Sequence, residues 1–165
     1  MALKLRDYRS SDAAALNATV LQAFQQFSTE FNEWGVFCER IGSMSSLSEE
    51  SDIIVAERNS ILCGAVAYYG PGKDRTNHFP KEWASARLLV VNPQHRGQGV
   101  GRALMCELIG RAKMDSSPTV GLHTSPIMEV ALSMYLRMGF KKIRDIPAIH
   151  GVPYSTYKLN LSEKL

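Results

Sequence analysis

Cysteine is scarce in this 165-residue chain: Cys38, Cys63 and Cys106 are odd in number and none sits in a C-x-x-C pair. That excludes a disulfide framework and gives no support to a zinc site, so no metal is expected. Long apolar runs are also missing. The longest, residues 61–69, falls far short of the roughly 20 residues a bilayer-spanning helix needs, so no membrane partner is expected. The opening Met-Ala-Leu-Lys-Leu-Arg lacks the apolar core of a signal peptide, which makes a reduced, cytoplasmic setting the expectation. Charge of one sign is in short supply as well. Nineteen Lys and Arg against 16 Asp and Glu leave a net +3, too mild for a nucleic-acid partner. Neither a repeat nor a linker interrupts the chain, so residues 1–165 read as a single domain.

What is present is the composition of an ordinary globular domain, 45% apolar and 21% charged. A chain of this length buries roughly 70% of its unfolded surface and needs no covalent staples. Residues 3–8 alternate apolar and polar like a half-buried strand. Ser10, Ser11 and Asp12 offer capping chemistry ahead of a helix over residues 13–27. Residues 31–51 mix aromatics, Gly35, Gly42 and serines, and are read as a short helix and a mobile loop. Strands are predicted at residues 53–57 and 62–69, joined by a polar turn, and again at 84–91 after a loop rich in Gly and Pro. Helical spacing over residues 100–114, a strand at 119–124 and a helix at 127–138 follow. That last helix is expected to put Ile127, Val130, Ala131, Met134 and Met138 on one side, with Gly139 as its stop. Strands at 141–144 and 154–159 close the chain. The order suits a mixed sheet flanked by helices.

The most informative segment is residues 88–102, Leu-Leu-Val-Val-Asn-Pro-Gln-His-Arg-Gly-Gln-Gly-Val-Gly-Arg. A strand runs into a glycine-rich turn and a helix starts at once. The first N–H groups of a helix have no internal partner and carry the positive end of its dipole, so this geometry binds phosphate. Glycines at 97, 99 and 101 remove the β-carbons that would hold a pyrophosphate away, while Arg96 and Arg102 add charge at the rim. A P-loop is excluded because G-x-x-x-x-G-K-[ST] is absent. A dinucleotide fold is excluded because residue 102 is arginine where the third glycine would stand and the next strand lacks an acid.

Gln94-His95-Arg96-Gly97-Gln98-Gly99 resembles the Q/R-x-x-G-x-G/A signature of the GNAT N-acetyltransferase superfamily. The later run Ala131-Leu132-Ser133-Met134-Tyr135-Leu136-Arg137-Met138-Gly139-Phe140 resembles its second hallmark. The resemblance covers about residues 83–140 and implies a GNAT-type α/β fold: a mixed, mostly antiparallel central sheet with helices on both faces. It further implies a V-shaped opening between the strands at 84–91 and 119–124. There the pantetheine arm of acetyl-CoA would pair near Leu89, Val90 and Val91, and the pyrophosphate would rest on Arg96, Gly97, Gln98, Gly99, Val100 and Gly101, with Arg102 beside it. One position departs from the family pattern: an asparagine that often contacts CoA is replaced by Met128.

The implied reaction is direct transfer of an acetyl group from acetyl-CoA to an amine, on a small molecule, a peptide N-terminus or a lysine. An acetyl-CoA sensor without turnover is the alternative. Tyr135 matches the family tyrosine that protonates the departing thiolate. An alkylamine of pKa near 10 is almost wholly protonated at neutral pH, so a base is useful. Glu82, just before the central strand, takes that role by resemblance, with His123, His78 and Asp74 as further candidates. An N–H near Val90 is placed to polarise the carbonyl. Cys106 has no base partner and does not read as a nucleophile. The acceptor is expected to meet residues 31–51, 70–83 and 146–154, with Phe31, Trp34, Phe37, Phe79 and Trp83 as possible pocket walls. Homodimers are frequent in the family.

Overall fold

A computed structural model describes residues 2–161. Seven strands form one sheet in the order β1-β2-β3-β4-β5-β7-β6. They are β1 (Lys4–Asp7), β2 (Asp52–Arg58), β3 (Ile61–Tyr69), β4 (Ala84–Val91), β5 (Thr119–Thr124), β6 (Lys141–Ile149) and β7 (Val152–Asn160). All neighbours run antiparallel except β4 and β5. Four α-helices accompany them: α1 (Ala13–Phe24), α2 (Trp34–Ile41), α3 (Val100–Met114) and α4 (Glu129–Arg137).

Strand alternation sorts the core into two layers. Ile53, Val55, Ala65, Ala67 and Tyr69 pack beneath α1 and α2 on one face. Ile54, Ala56, Cys63, Val66 and Tyr68 pack against α3 on the other. The period of two in strand side chains makes both faces apolar at once, which is why β2 and β3 read as nearly unbroken apolar runs. Close approach of α3 depends on Gly64: a β-carbon there would stand 2.6 Å from the Val90 carbonyl oxygen and 3.1 Å from Val100 Cγ1.

Residues 31–51 contain the expected short helix, but the rest is not a mobile loop. They form α2 and then a 3-10 helix over Met44–Glu49, pinned where Asn17 accepts from the Ser45 amide at 2.9 Å. Buried Phe37, Ile41 and Met44 explain the order: the serines are the outward face of a packed segment. Residues 146–154 are likewise not a free loop, because β6 and β7 continue to the turn as a hairpin paired out to Ile149 and Val152. The helix expected over residues 127–138 is shorter, and Val130 is 87% exposed rather than on its inner side. Its C-terminus closes as a Schellman motif, with the Phe140 amide donating to the Tyr135 carbonyl at 3.0 Å and the Gly139 amide to Leu136 at 3.1 Å. That fixes the turn of helix bearing Tyr135.

Candidate active site

The site begins where β4 leaves β5. The two parallel strands pair only at Ala84↔Val120 and Ser85↔Gly121. Beyond Ser85 the β5-facing edge of β4 has no strand partner, and the sheet opens into a fork. On the β3 side, pairing passes from Ala67↔Arg87 to Ala65↔Val90, so β4 contains one extra residue. The bulge is centred on Leu88, whose φ of 53° is left-handed. A leucine holds that conformation only when its surroundings enforce it. Bulges re-aim the residues around them, and this one lies in the wall of the fork.

The strand end is tied back by the Asn92 amide, which donates to the Cys63 carbonyl at 2.7 Å. A 3-10 turn over Pro93–His95 then leads into the glycines. Gly97 and Gly99 have φ of 73° and 79°, and a β-carbon on either would point into open space. The chain spends glycine here for conformation and for room outside. Among the described residues, no protein acceptor meets the amides of residues 97–102; the first bond of α3 is from Ala103 to Gly99 at 3.0 Å. A run of unpaired amides on an exposed turn at a helix start offers the donors that a pyrophosphate would need. Gly101 differs from its neighbours: a β-carbon there would make only ordinary contacts, the nearest with Val91 Cγ2 at 3.6 Å.

Of the two rim arginines, Arg102 is exposed, whereas Arg96 sends its guanidinium to the Ala23 carbonyl at 3.1 Å. Arg96 therefore anchors the turn to the end of α1. Gln98 accepts from Arg58 at 2.6 Å, fastening the other side of the turn to the β2–β3 hairpin.

Through the fork lies a cavity of about 310 Å³ whose walls include Leu88 and Leu89 of β4, His123 and Thr124 of β5, and Tyr135 of α4. Tyr135 is buried, and burial pushes its pKa up, keeping the phenol protonated. Met128 is also in the wall, its thioether accepting from the Thr124 hydroxyl at 3.7 Å. His123 is the notable titratable group. Burial above all, then Arg87 and His78 and, least, Arg40, push its pKa down to about 4 against the opposing pull of Asp74. At neutral pH the ring is an uncharged imidazole, able to accept a hydrogen bond but held against taking up a proton. It lies 5.8 Å from the ring of His78 and 5.6 Å from that of Tyr154.

Glu82 is not brought to this place. It is exposed, before the paired end of β4, outside the cavity walls, and its carbonyl accepts from Ser117 at 3.3 Å. The strand runs from residue 82 through the paired positions Ala84 and Ser85 before the fork opens. Asp74 is spent otherwise. Its oxygens accept from the Ser85 hydroxyl and from the amide and hydroxyl of Thr76, and these bonds hold its pKa low against burial. It clips residues 70–83 onto β4. Phe79 of that loop lies over Gly121 and stacks on Trp83 at 5.9 Å, while Phe31 stacks on Phe37 at 4.0 Å. Only Phe37 of the five aromatics suggested by sequence lines the cavity.

Arg40, Arg87 and Tyr154 also line it. Arg87 was detectable as the one charge inside the apolar run 84–91. Arg40 and Tyr154 carry no local signal. Among the described residues there is no cluster fit to hold a metal ion, and no helix is long and apolar enough to cross a membrane.

Comparison with known proteins agrees with this geometry. The Acetyltransferase (GNAT) domain family matches residues 49–142. Mouse N-acetyltransferase 8B is 44% identical over 88 residues, 53% of this chain and 37% of that protein. The chain thus spans less than half the length of that curated relative. In structure, PaiA N-acetyltransferase from Thermoplasma acidophilum, solved with coenzyme A, superposes with a TM-score of 0.77 at 16% identity over 98% of this chain and 100% of that one. A Salmonella typhimurium protein solved with its cofactor acetyl-CoA gives 0.72 at 17% identity, over 99% and 96%. The match over residues 49–142 takes in both the fork and the glycine turn, and the chain belongs to the GNAT acetyltransferase family.

Proposed function

We propose that this chain transfers an acetyl group from acetyl-CoA directly to an amine. The observation that carries the reading is the continuity of three features: an amide cradle, an unpaired strand edge and a cavity holding Tyr135 and His123. The amides of residues 97–102 would take the pyrophosphate, with Arg102 adding charge. The free edge of β4 at Leu89, Val90 and Val91 would pair with the amide-bearing arm. Acetyl-CoA supplies an acyl group activated as a thioester.

The protein's own task is positioning and proton management. The amine enters from the cavity side as its free base, where the uncharged ring of His123 accepts a hydrogen bond from it and orients its lone pair, and its proton leaves through water as the new bond forms. The nitrogen then bonds to the acyl carbon as the carbon–sulfur bond breaks. Tyr135, kept protonated by burial, donates to the departing sulfur. A β4 amide near the Leu88 bulge polarises the acyl oxygen meanwhile. Direct attack needs no acyl-enzyme, in keeping with exposed Cys106 lying on the helix outside the cavity.

Thiol release from acetyl-CoA, followed across amine classes, tests the proposal. Amine-dependent thiol matched one-to-one by N-acetylated product is the expected result. Tight acetyl-CoA binding with release no faster than hydrolysis would overturn it in favour of a binding domain.

A further inference from the structure

Two arginines enter the acceptor side of the cavity, Arg40 from α2 and Arg87 from β4, and no carboxylate lines it. Among the described residues neither makes an ion pair. Arg87 rests over the ring of Tyr69 at 6.0 Å, and Arg40 is exposed at the mouth. Asp74, whose charge bears on Arg87, has its oxygens engaged by Ser85 and Thr76, and Glu50, which bears on Tyr69 together with Arg87, is outside the cavity walls. The rest of the acceptor wall is largely apolar, including Phe24, Phe37, Ile41, Met44 and Leu47.

We infer that the acceptor is a small primary amine that also carries a carboxylate, held by Arg40 and Arg87, with an apolar substituent against the aromatic wall. The inference rests on the acetyl-transfer reading and names the substrate class of the same site. Guanidinium groups present forked donors that match a carboxylate, and a cavity lined by two of them and by no carboxylate disfavours a polycation. The same charges disfavour the protonated form of a nearby amine, so they assist the nucleophile as well as hold its neighbour. Both already act in this way on His123.

The test is calorimetric binding to the CoA-loaded protein of matched pairs that differ only in the carboxylate: L-phenylalanine against phenethylamine, and L-methionine against 3-(methylthio)propylamine. The carboxylate member should bind at least about tenfold more tightly, the size of a charge-assisted hydrogen bond. Arg40→Gln and Arg87→Gln should each erase most of that difference, by weakening the carboxylate member while the plain amine binds no more weakly than before. If in neither pair the carboxylate member outbinds its amine, or if spermidine binds better than either, the assignment falls. Acetylation measured in the same samples separates the two readings. Carboxylate-dependent binding without N-acetyl product upholds the ligand class and overturns the transferase, while equal acetylation of both members does the reverse.

Discussion

On the cofactor side of the β4–β5 fork, the groups offered to a ligand are backbone amides of a single turn, residues 97–102. Across the fork they are side chains: Arg40, Arg87, His123, Tyr135 and Tyr154, delivered by α2, β4, β5, α4 and β7. One half is local and built from glycine, the other is assembled from distant parts of the chain. The contrast fits the task. A pyrophosphate is the same in every cycle and suits fixed dipoles at a helix start, whereas recognition of an acceptor needs side chains that differ between relatives.

Breaking the cofactor half should have the largest effect. Gly99→Glu forces a left-handed position to carry a β-carbon and sets a negative charge where the proposed phosphate site lies. Acetyl-CoA affinity should fall by about a hundredfold or more, roughly 3 kcal/mol, in calorimetry. Unchanged affinity would move the anion site elsewhere. Next, Tyr135→Phe keeps the packing and removes the proton, so turnover should drop about 10- to 100-fold with the acetyl-CoA Kd nearly constant. A matching loss of affinity would mean the ring positions the cofactor instead.

Disturbing only the acceptor half sharpens the comparison. In Gly121→Ala the new β-carbon would meet the Phe79 ring at 2.7 Å, so Phe79 must shift and with it His78, whose ring lies 5.8 Å from that of His123 in the cavity wall. The KM for the amine should rise several-fold while acetyl-CoA binding stays the same. Acid should act on this half too. His123 is neutral when folded down to pH of about 4, against 6.5 when exposed, so the unfolded chain binds the extra proton first. Its contribution is full above pH 6.5 and is lost as pH falls from 6.5 towards 4. The acid limb of the stability curve should become shallower in His123→Asn, by up to about 3 kcal/mol. The smallest effect is expected from Arg96→Ala, which frees the Ala23 carbonyl at 3.1 Å and should weaken acetyl-CoA binding a few-fold.

The same contrast explains what could be read from the residues. The cradle was legible because a strand, three glycines and a helix lie within residues 88–102. The central elements were legible from their periodicity, and β4, α3 and β5 fall where spacing put them. The Leu88 bulge was not, since Leu88-Leu89-Val90-Val91 reads as any buried strand, and register against β3 alone exposes the extra residue. Glu82 drew notice by nearness in sequence to the central strand, yet the fork opens at the strand's far end. Arg40 reaches the cavity because α2 packs against the sheet, and a short helix expected within residues 31–51 carried no sign of which of its residues would meet the cavity.

Amide hydrogen exchange with and without coenzyme A tests the division of the cleft most directly. Protection should appear at residues 97–102 and along the free edge of β4, and leave α2 untouched. Protection confined to α2 and the acceptor cavity, or none at the glycine turn, would contradict it.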